Sequence, residues 1–249
     1  MSIDSEQDLA ALREIGRICA LTLKEMQAHL RPGITTGELD AVGAAFLAKH
    51  GARSAPQLVY HFPGATCISI NDEAAHGIPG ARVIKAGDLV NIDVSAELNG
   101  YYGDTAATYA VPPVSSQAER LLKYAQKALD EAIAVARAGT PLSLIGRAIE
   151  GRAQRGGFTT LHELGGHGVG RGLHEAPHNV PTYDTRRSGQ RLTEGLVITI
   201  EPFLTTGTNR VKEDANGWTL RTMNGSPSAQ FEHSMVITRG KPLILTALA

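Results

Sequence analysis

Apolar residues recur at helical spacing near the start of the chain, with polar residues between them. From about Ser5 to Leu30 the apolar positions lie three or four residues apart, which predicts an amphipathic helix. Thr35 and Glu38 form the capping-box pattern that opens a second helix, and Gly51 ends it. The first fifth of the chain is therefore predicted to form two helices.

The rest of the chain mixes short apolar runs with two further helical patterns. Ser116 and Glu119 repeat the capping-box spacing and predict a helix that runs to about Arg137. Apolar periodicity and glycine stops predict the remaining elements: a helix over 143–155 and strands over 66–70, 88–97, 196–201 and 230–237. This mixture of helices and strands predicts an α+β fold.

The second half of the chain repeats features of the first. Each of the segments 87–93 and 195–201 begins with glycine and ends six residues later in an acid, Asp93 in the first and Glu201 in the second. The glycine stops that flank the second helix recur around the helix at 143–155, at an offset of 106 residues. This repeat predicts two related halves that each supply acids to a shared site.

Length and repeat together predict the domain organisation. The chain of 249 residues is long enough to bury a sizeable core without disulfide or metal staples. We expect a single domain, residues 1–249, built from two pseudo-symmetric α/β halves at about 5–110 and 111–249.

Composition excludes several classes of protein. The chain is 42% hydrophobic and 20% charged, which is ordinary for a globular protein, and its net charge of −1 provides no basic field for nucleic acid. No apolar run approaches the ~20 residues of a membrane span, and no signal-peptide pattern is present. The two cysteines argue against a disulfide framework. We expect a cytoplasmic monomer with no nucleic-acid or membrane partner.

Five residues of metal-ligand type lie in or beside strand-like and glycine-rich segments. They are Asp93, Asp104, His167, Glu201 and Glu232. An acid buried without a partner is costly, so acids within apolar strands need a compensating charge. The four carboxylates carry −4, two divalent cations carry +4, and a ligating imidazole is neutral. The charge balance therefore predicts a site for two metal ions.

A tight hairpin is predicted to bring the two aspartates together. Asn99 and Gly100 are the preferred residues of a two-residue hairpin turn, which would place Asp93 opposite Ala106. Asp104 lies two residues from Ala106, so it shares a sheet face with Asp93 at a diagonal distance of roughly 7–8 Å or less. Such a pair can converge on one ion or bridge two. The alternative, that both are solvated strand residues, stays open on this evidence.

Three of the nine histidines stand out. His76 lies in a turn-rich segment before the first acidic strand, and His167 and His174 flank a glycine-rich loop. That loop lacks the glycine spacing of the common phosphate-binding motifs. Glycines there would instead let the backbone approach a substrate closely. The other histidines are expected to be structural or superficial.

These segments together resemble methionine aminopeptidase, most closely its short, bacterial-like type I form. The resemblance covers nearly the whole chain and is carried by Cys67-Ile-Ser-Ile-Asn-Asp72, His76-Gly-Ile-Pro79, Val90-Asn-Ile-Asp-Val94, Gly103-Asp-Thr105, Gly166-His-Gly-Val-Gly-Arg-Gly172 with His174-Glu175, Ile200-Glu-Pro202 and Ser228-Ala-Gln-Phe-Glu-His233. It implies the pita-bread α+β fold in one catalytic metallopeptidase domain. The implied reaction removes the amino-terminal methionine by hydrolysing the first peptide bond.

The resemblance also implies roles for individual residues. The implied ligands of two divalent ions (Co, Mn, Fe or Zn) are Asp93, Asp104, His167, Glu201 and Glu232. His76 is implied to lie near the scissile nitrogen and His174 to bind the scissile carbonyl or oxyanion, while Glu201 would exchange a proton with the attacking water. The implied wall of the methionine pocket consists of Cys67, Phe62 and Trp218.

Some positions depart from the bacterial pattern of this family. Leu173 stands where an aromatic residue commonly precedes the histidine, Phe62 where tyrosine is common, and Ala75 just before His76. These changes concern the preference for the substrate side chain and leave the metal ligands intact. The expected substrates are amino-terminal peptides of nascent proteins, with the ribosome as a candidate place of encounter. Two alternatives remain: a related metalloaminopeptidase of shifted specificity, including cleavage before proline, and a non-enzymatic binding protein on the same fold.

Overall fold

Helices and short strands alternate in this computed structural model, which describes residues 1–185 and 189–248. The helices of that part of the chain are α1 (Glu6–His29), α2 (Thr36–Lys49), α3 (Ala55–Tyr60), α4 (Ser116–Val135) and α5 (Ser143–Gly156). Its strands are β1 (Arg53–Ser54), β2 (Cys67–Ile70), β3 (Glu73–Ala75), β4 (Leu89–Leu98), β5 (Tyr101–Ala110), β6 (Thr159–Thr160), β7 (Gly166–Gly168), β8 (Glu175–Val180), β9 (Val197–Ile200), β10 (Phe203–Thr205), β11 (Val211–Glu213), β12 (Leu220–Thr222), β13 (Ser228–Gln230), β14 (His233–Val236) and β15 (Leu243–Ile244).

The first two helices begin where the sequence predicts. At the start of α1 the side chain of Ser5 accepts a hydrogen bond from the Asp8 amide. At the start of α2 the Thr35 hydroxyl accepts from the Glu38 amide, and the Glu38 carboxylate accepts from the Thr35 amide. Both caps pair backbone groups that a helix end leaves unsatisfied. The predicted helices and the capping box of α2 are confirmed.

Two details of the predicted elements are wrong. Helix α4 is capped by Ser115, whose hydroxyl accepts from the Ala118 amide, and not by a box that starts at Ser116. The strand predicted over 230–237 is divided into β13 and β14. Between them the Glu232 amide donates to the Ala106 carbonyl in β5 (2.8 Å), so this stretch changes its partner strand.

Strands β4 and β5 form the hairpin that the Asn-Gly pair predicts. Leu98 pairs with Tyr101, and Asp93 pairs with Ala106. Asn99 and Gly100 have φ angles of 52° and 81°, the left-handed values that this type of turn requires. Strands β1 and β2 also pair with β4, which completes the first sheet. The predicted register is confirmed.

A second sheet has the order β15-β14-β9-β7-β8, and two three-stranded sheets, β13-β10-β6 and β11-β12-β3, flank the site described below. The two larger sheets meet along β5. There the Ser234 hydroxyl donates to the Asp104 carbonyl (2.7 Å), and the Thr105 hydroxyl donates to the Glu232 carbonyl (2.8 Å). These bonds hold the acid-bearing strands of the two sheets together.

The buried apolar residues form two large cores. One lies under α1, α2 and the first sheet, and the other under α4, α5 and the second sheet. Each therefore packs helices on one face of a sheet, as α+β domains do. The division into halves at about 5–110 and 111–249 stays a prediction. Among the described helices, none combines the length and apolarity that crossing a membrane requires.

Candidate active site

A cavity of about 430 Å³ opens where the two larger sheets meet. Its size is typical of a site for a small ligand. All the residues singled out from the sequence line it: Phe62, Cys67, His76, Asp93, Asp104, His167, His174, Glu201, Trp218 and Glu232. The fold therefore brings side chains from positions up to 170 residues apart to one cavity.

The acids and His167 converge at the floor of this cavity. Asp93 and Asp104 lie close enough for their carboxyl groups to share a hydrogen bond. The Nε2 atom of His167 lies 3.7 Å from Oδ2 of Asp104 and 3.7 Å from Oε1 of Glu201. One potential ligand atom each from Asp104, His167 and Glu232 lies within 4.8 Å of the others. These separations suit side chains that share a cation.

Burial makes the acids unstable as free anions. It raises the pKa of Asp93 to about 7. It also raises the pKa of Asp104 well above its ordinary value, and repulsion from Glu232 and Asp93 adds to that shift. The pKa values of Glu201 and Glu232 are raised by burial first and by the neighbouring acids second. Within the described residues no hydrogen-bond partner reaches the buried Oδ1 of Asp104 or Oε1 of Glu232. Such orphaned carboxylate oxygens fit divalent cations as their missing partners.

His167 is held in the form that can bind a metal. Its Nδ1 atom lies 3.0 Å from the Gly168 carbonyl, so this nitrogen carries the proton and donates, which leaves a lone pair on Nε2. Burial lowers the pKa of His167 to about 3, with contributions from His174 and His76. The ring is therefore neutral near pH 7, as metal ligation requires.

Glu201 is oriented by two side chains that the sequence reasoning missed. The Thr199 hydroxyl donates to Oε1 (3.2 Å), and the Gln230 amide donates to Oε2 (2.9 Å). Thr199 precedes Glu201 by two residues, and Gln230 precedes Glu232 by two. Because alternate residues share a strand face, this spacing could have revealed Thr199, whereas the strand break between Gln230 and Glu232 hides Gln230 from the same argument.

His76 occupies a strained position at the end of β3. Its φ angle is +55°, a conformation that is uncommon for residues other than glycine. A Cβ atom on the next residue, Gly77, would lie 2.2 Å from the Ile68 carbonyl oxygen, so the backbone is closely packed there. The Thr219 hydroxyl donates to the His76 carbonyl (3.3 Å). Strain that is held in place by its surroundings often marks a functional residue.

His174 faces the cavity beside His167, with ring centroids 4.0 Å apart. Its Nδ1 atom lies 2.7 Å from the hydroxyl of Tyr60 on α3. Burial lowers the pKa of His174, and the nearby His76 and His178 lower it further. The sequence pattern predicted neither helix α3 nor a role for Tyr60 or His178, although both residues line the cavity.

An apolar wall adjoins the acids. Cys67 pairs with Asp93 across strands β2 and β4, which sets this wall directly beside the candidate metal ligands. Burial, followed by repulsion from Asp93, raises the pKa of the Cys67 thiol well above its ordinary value, so it stays protonated and behaves as a small apolar group. Phe62 and Trp218 meet edge to face with centroids 5.2 Å apart, and Leu173 is buried at the same cavity.

Arg221 lies on the strand that follows Trp218, and it links the hairpin that carries Trp218 to the strand that ends before His76. Strand β12 pairs with β3, and the Arg221 guanidinium donates to Glu73 (2.7 Å), Asp72 (3.0 Å) and Asp214 (2.7 Å). Asp72 and Glu73 open the segment that leads to His76, while Asp214 lies in the hairpin that carries Trp218. The Arg221 guanidinium thus links the side of the cavity that carries Trp218 to the side that carries His76.

Known proteins resemble this chain over its full length. The profile of Metallopeptidase family M24 matches residues 10–239. Methionine aminopeptidase 2 of Bacillus subtilis (strain 168) is 44% identical over 249 residues, covering 100% of each chain. Methionine aminopeptidase structures from Rickettsia prowazekii and Thermotoga maritima are similar, with TM-scores of 0.94 and 0.95 at 36% and 33% identity. These two matches cover 99% and 100% of this chain, respectively, and 100% of each of those chains.

Proposed function

The chain belongs to metallopeptidase family M24, and from this premise we propose that it removes the amino-terminal methionine from peptides and nascent proteins. It is a hydrolase with the pita-bread α+β fold, and it uses divalent metal. One observation carries the proposal: buried acids and a neutral histidine converge beside an apolar wall. The alternative of cleavage before proline is not favoured, because full-length relatives are named methionine aminopeptidase.

We propose two metal ions, held by the acids and His167. Four carboxylates balance the charge of two divalent cations. The carboxylate oxygens of Asp104 and Glu232 that lack a hydrogen-bond partner are available to bind a cation. Oxygen donors with one imidazole suit Mn, Fe, Co or Zn. When bound, such ions would polarise the scissile carbonyl and lower the pKa of an attacking water from about 15.7 towards ~7.

Glu201 is the proposed proton carrier. Thr199 and Gln230 fix its two oxygens, so the carboxylate is held in place to exchange a proton with a neighbouring water. It would take a proton from the attacking water and return it to the leaving amine. This shuttle replaces two separate proton transfers to solvent.

The two cavity histidines would act on the substrate amide. His174, a neutral ring beside His167, would donate a hydrogen bond to the carbonyl oxygen as negative charge develops on it. His76 would hold the scissile nitrogen. Its strained backbone and the hydrogen bond from Thr219 to its carbonyl hold the His76 backbone in place before substrate arrives.

The apolar wall accounts for the proposed selectivity. Cys67, Phe62 and Trp218, with Leu173, would receive an unbranched thioether side chain. The acids beside this wall favour a free amino group on the same residue, which would restrict cleavage to the first peptide bond. Action in the cytoplasm, encounter with substrates at the ribosome and a monomeric state remain predictions.

Hydrolysis of a Met-Gly-Met peptide after chelation, with and without added Mn²⁺ or Co²⁺, tests the proposal. Metal-dependent release of free methionine is expected, with no release of the first residue from matched peptides that begin with alanine, whether or not proline is second. Glu201→Ala removes the proposed proton carrier and should abolish this release. Glu194→Ala is its matched control, because Glu194 is exposed and pairs with Arg239. Release from the competitors alone would contradict the assigned specificity, and no turnover with any metal would favour a binding protein.

A further inference from the structure

We infer that Tyr60 is a positioning residue for His174: its hydroxyl donates to Nδ1 and so keeps the ring proton on Nε2. The inference rests on the proposed function, because it explains how His174 becomes a hydrogen-bond donor to the substrate. The sequence pattern does not predict it, since Tyr60 lies on a six-residue helix that periodicity does not reveal.

The contact is direct and local. The Tyr60 oxygen lies 2.7 Å from Nδ1 of His174, and the two rings are tilted by 57° with centroids 5.6 Å apart. Within residues 1–185 and 189–248, this hydroxyl is the one hydrogen-bond partner of the His174 ring. The ring of His174 also meets the ring of His167, with centroids 4.0 Å apart. With Nδ1 engaged, Nε2 is the nitrogen left for a substrate.

Helix α3, which carries Tyr60, is held in place by hydrogen bonds and by buried residues at its start. The Ser54 hydroxyl accepts a hydrogen bond from the Gln57 amide at the start of the helix, and it donates to the Ala65 carbonyl (2.7 Å). Ala55 and Pro56 are buried. The helix is therefore hydrogen-bonded to the segment that leads into β2 and Cys67. This bond fixes the position of Tyr60 relative to the apolar wall.

The direction of the hydrogen bond is assigned from the role of His174, because a tyrosine hydroxyl can either donate or accept and the ring tautomer decides between the two. A neutral imidazole has one donor nitrogen and one acceptor nitrogen. Partial burial raises the pKa of Tyr60, so its hydroxyl keeps its proton and can donate to Nδ1. The proton of the ring then lies on Nε2, where it can meet a developing oxyanion. The reverse arrangement would present a lone pair to that oxygen and repel it.

Tyr60→Phe tests this inference, because it removes the hydroxyl and keeps the ring. Tyr124→Phe is the matched control, since Tyr124 packs against Phe158 and does not line the cavity. The first readout is the ¹⁵N spectrum of histidine rings in the full chain loaded with diamagnetic Zn²⁺, with His174 assigned by comparison with His174→Gln. The second is steady-state hydrolysis of Met-Gly-Met with added Mn²⁺.

The wild type is expected to show His174 protonated at Nε2, and Tyr60→Phe to show a shift towards protonation at Nδ1. Turnover is expected to fall about tenfold with KM within about twofold, because the lost contact aligns a group that acts in the transition state. Tyr124→Phe should match the wild type in both readouts.

Two results would overturn the inference while leaving the proposed function intact: wild-type His174 protonated at Nδ1, or Tyr60→Phe with wild-type spectrum and kcat. Absence of methionine release by the wild type with every metal would overturn the proposed function, and with it the catalytic purpose of the contact. The spectrum separates the two failures, because it reports the hydrogen bond without any turnover.

Discussion

Asp93→Asn should make the metal-free protein more stable, although it removes a proposed metal ligand. Burial raises the pKa of Asp93 from its ordinary 3.8 to about 7. The folded protein therefore retains a proton that the unfolded chain has lost, and its stability falls as pH rises between these two values. A difference of about three pKa units corresponds to about 4 kcal/mol at pH 7 and above. Asparagine carries no charge and avoids this loss.

The difference in stability between the wild type and Asp93→Asn isolates the effect of the buried Asp93 charge. His167 contributes with the opposite sign, since its pKa is lowered from 6.5 to about 3 and its contribution to stability grows as pH rises through that window. This contribution is common to both proteins and cancels in their difference. Removing the Asp93 charge also relieves Asp104, whose pKa it raises, and this acts in the same direction as the main effect.

Urea denaturation after chelation, followed by circular dichroism at pH 5 and pH 8, measures the difference. We expect the advantage of Asp93→Asn in unfolding free energy to grow by up to about 3 kcal/mol between these pH values. With saturating Mn²⁺ the order should reverse, because only the wild type gains the full binding energy. An advantage that is constant with pH, or that shrinks as pH rises, would refute the argument from burial. An equal gain with metal would refute the role of Asp93 as a ligand.

Four further substitutions test other parts of the site. Glu201→Ala or His76→Ala should lower kcat/KM for Met-Gly-Met by at least ~10²-fold with the fold retained by circular dichroism; near wild-type values would exclude the role assigned to that residue. Arg221→Gln should lower the free energy of unfolding in urea by about 1–2 kcal/mol. It should also raise KM several-fold, because the two sides of the cavity lose the guanidinium that links them; an unchanged KM would contradict this link. Leu173→Ala should enlarge the buried apolar pocket and reduce kcat/KM for Met-Gly-Met relative to a peptide with a larger first residue; an unchanged ratio would separate Leu173 from specificity.

Local rules in the sequence predicted the aspartate pair correctly. The Asn99-Gly100 turn determines the register of the hairpin, and strand alternation then places Asp93 and Asp104 on one face. Both steps depend on residues close together in the chain, so a pattern suffices. The same reasoning failed for the strand over 230–237, because its interruption at Glu232 depends on a partner in the other half of the chain.

Tyr60 illustrates a second limit. Its role depends on a contact with His174, which lies 114 positions away, and on a short helix held by Ser54 and Ala65. Six residues are too few for a helical period to stand out, and a lone tyrosine carries no signature of a partner. Resemblance to a family supplied the histidine but not the residue that orients it.

The break in the strand at Glu232 shows why the site and the stability of the fold are linked. Had 230–237 continued as one strand of the second sheet, Glu232 would bond within that sheet. Instead its amide donates to Ala106 and its carbonyl accepts from Thr105, so its carboxylate is brought to the face of Asp104. The two sheets are thus joined by one backbone hydrogen bond and one hydrogen bond from a threonine side chain at the place where their acids repel each other. Metal ions relieve that repulsion, so the junction between the sheets should be the part of the molecule that gains most stability when they bind.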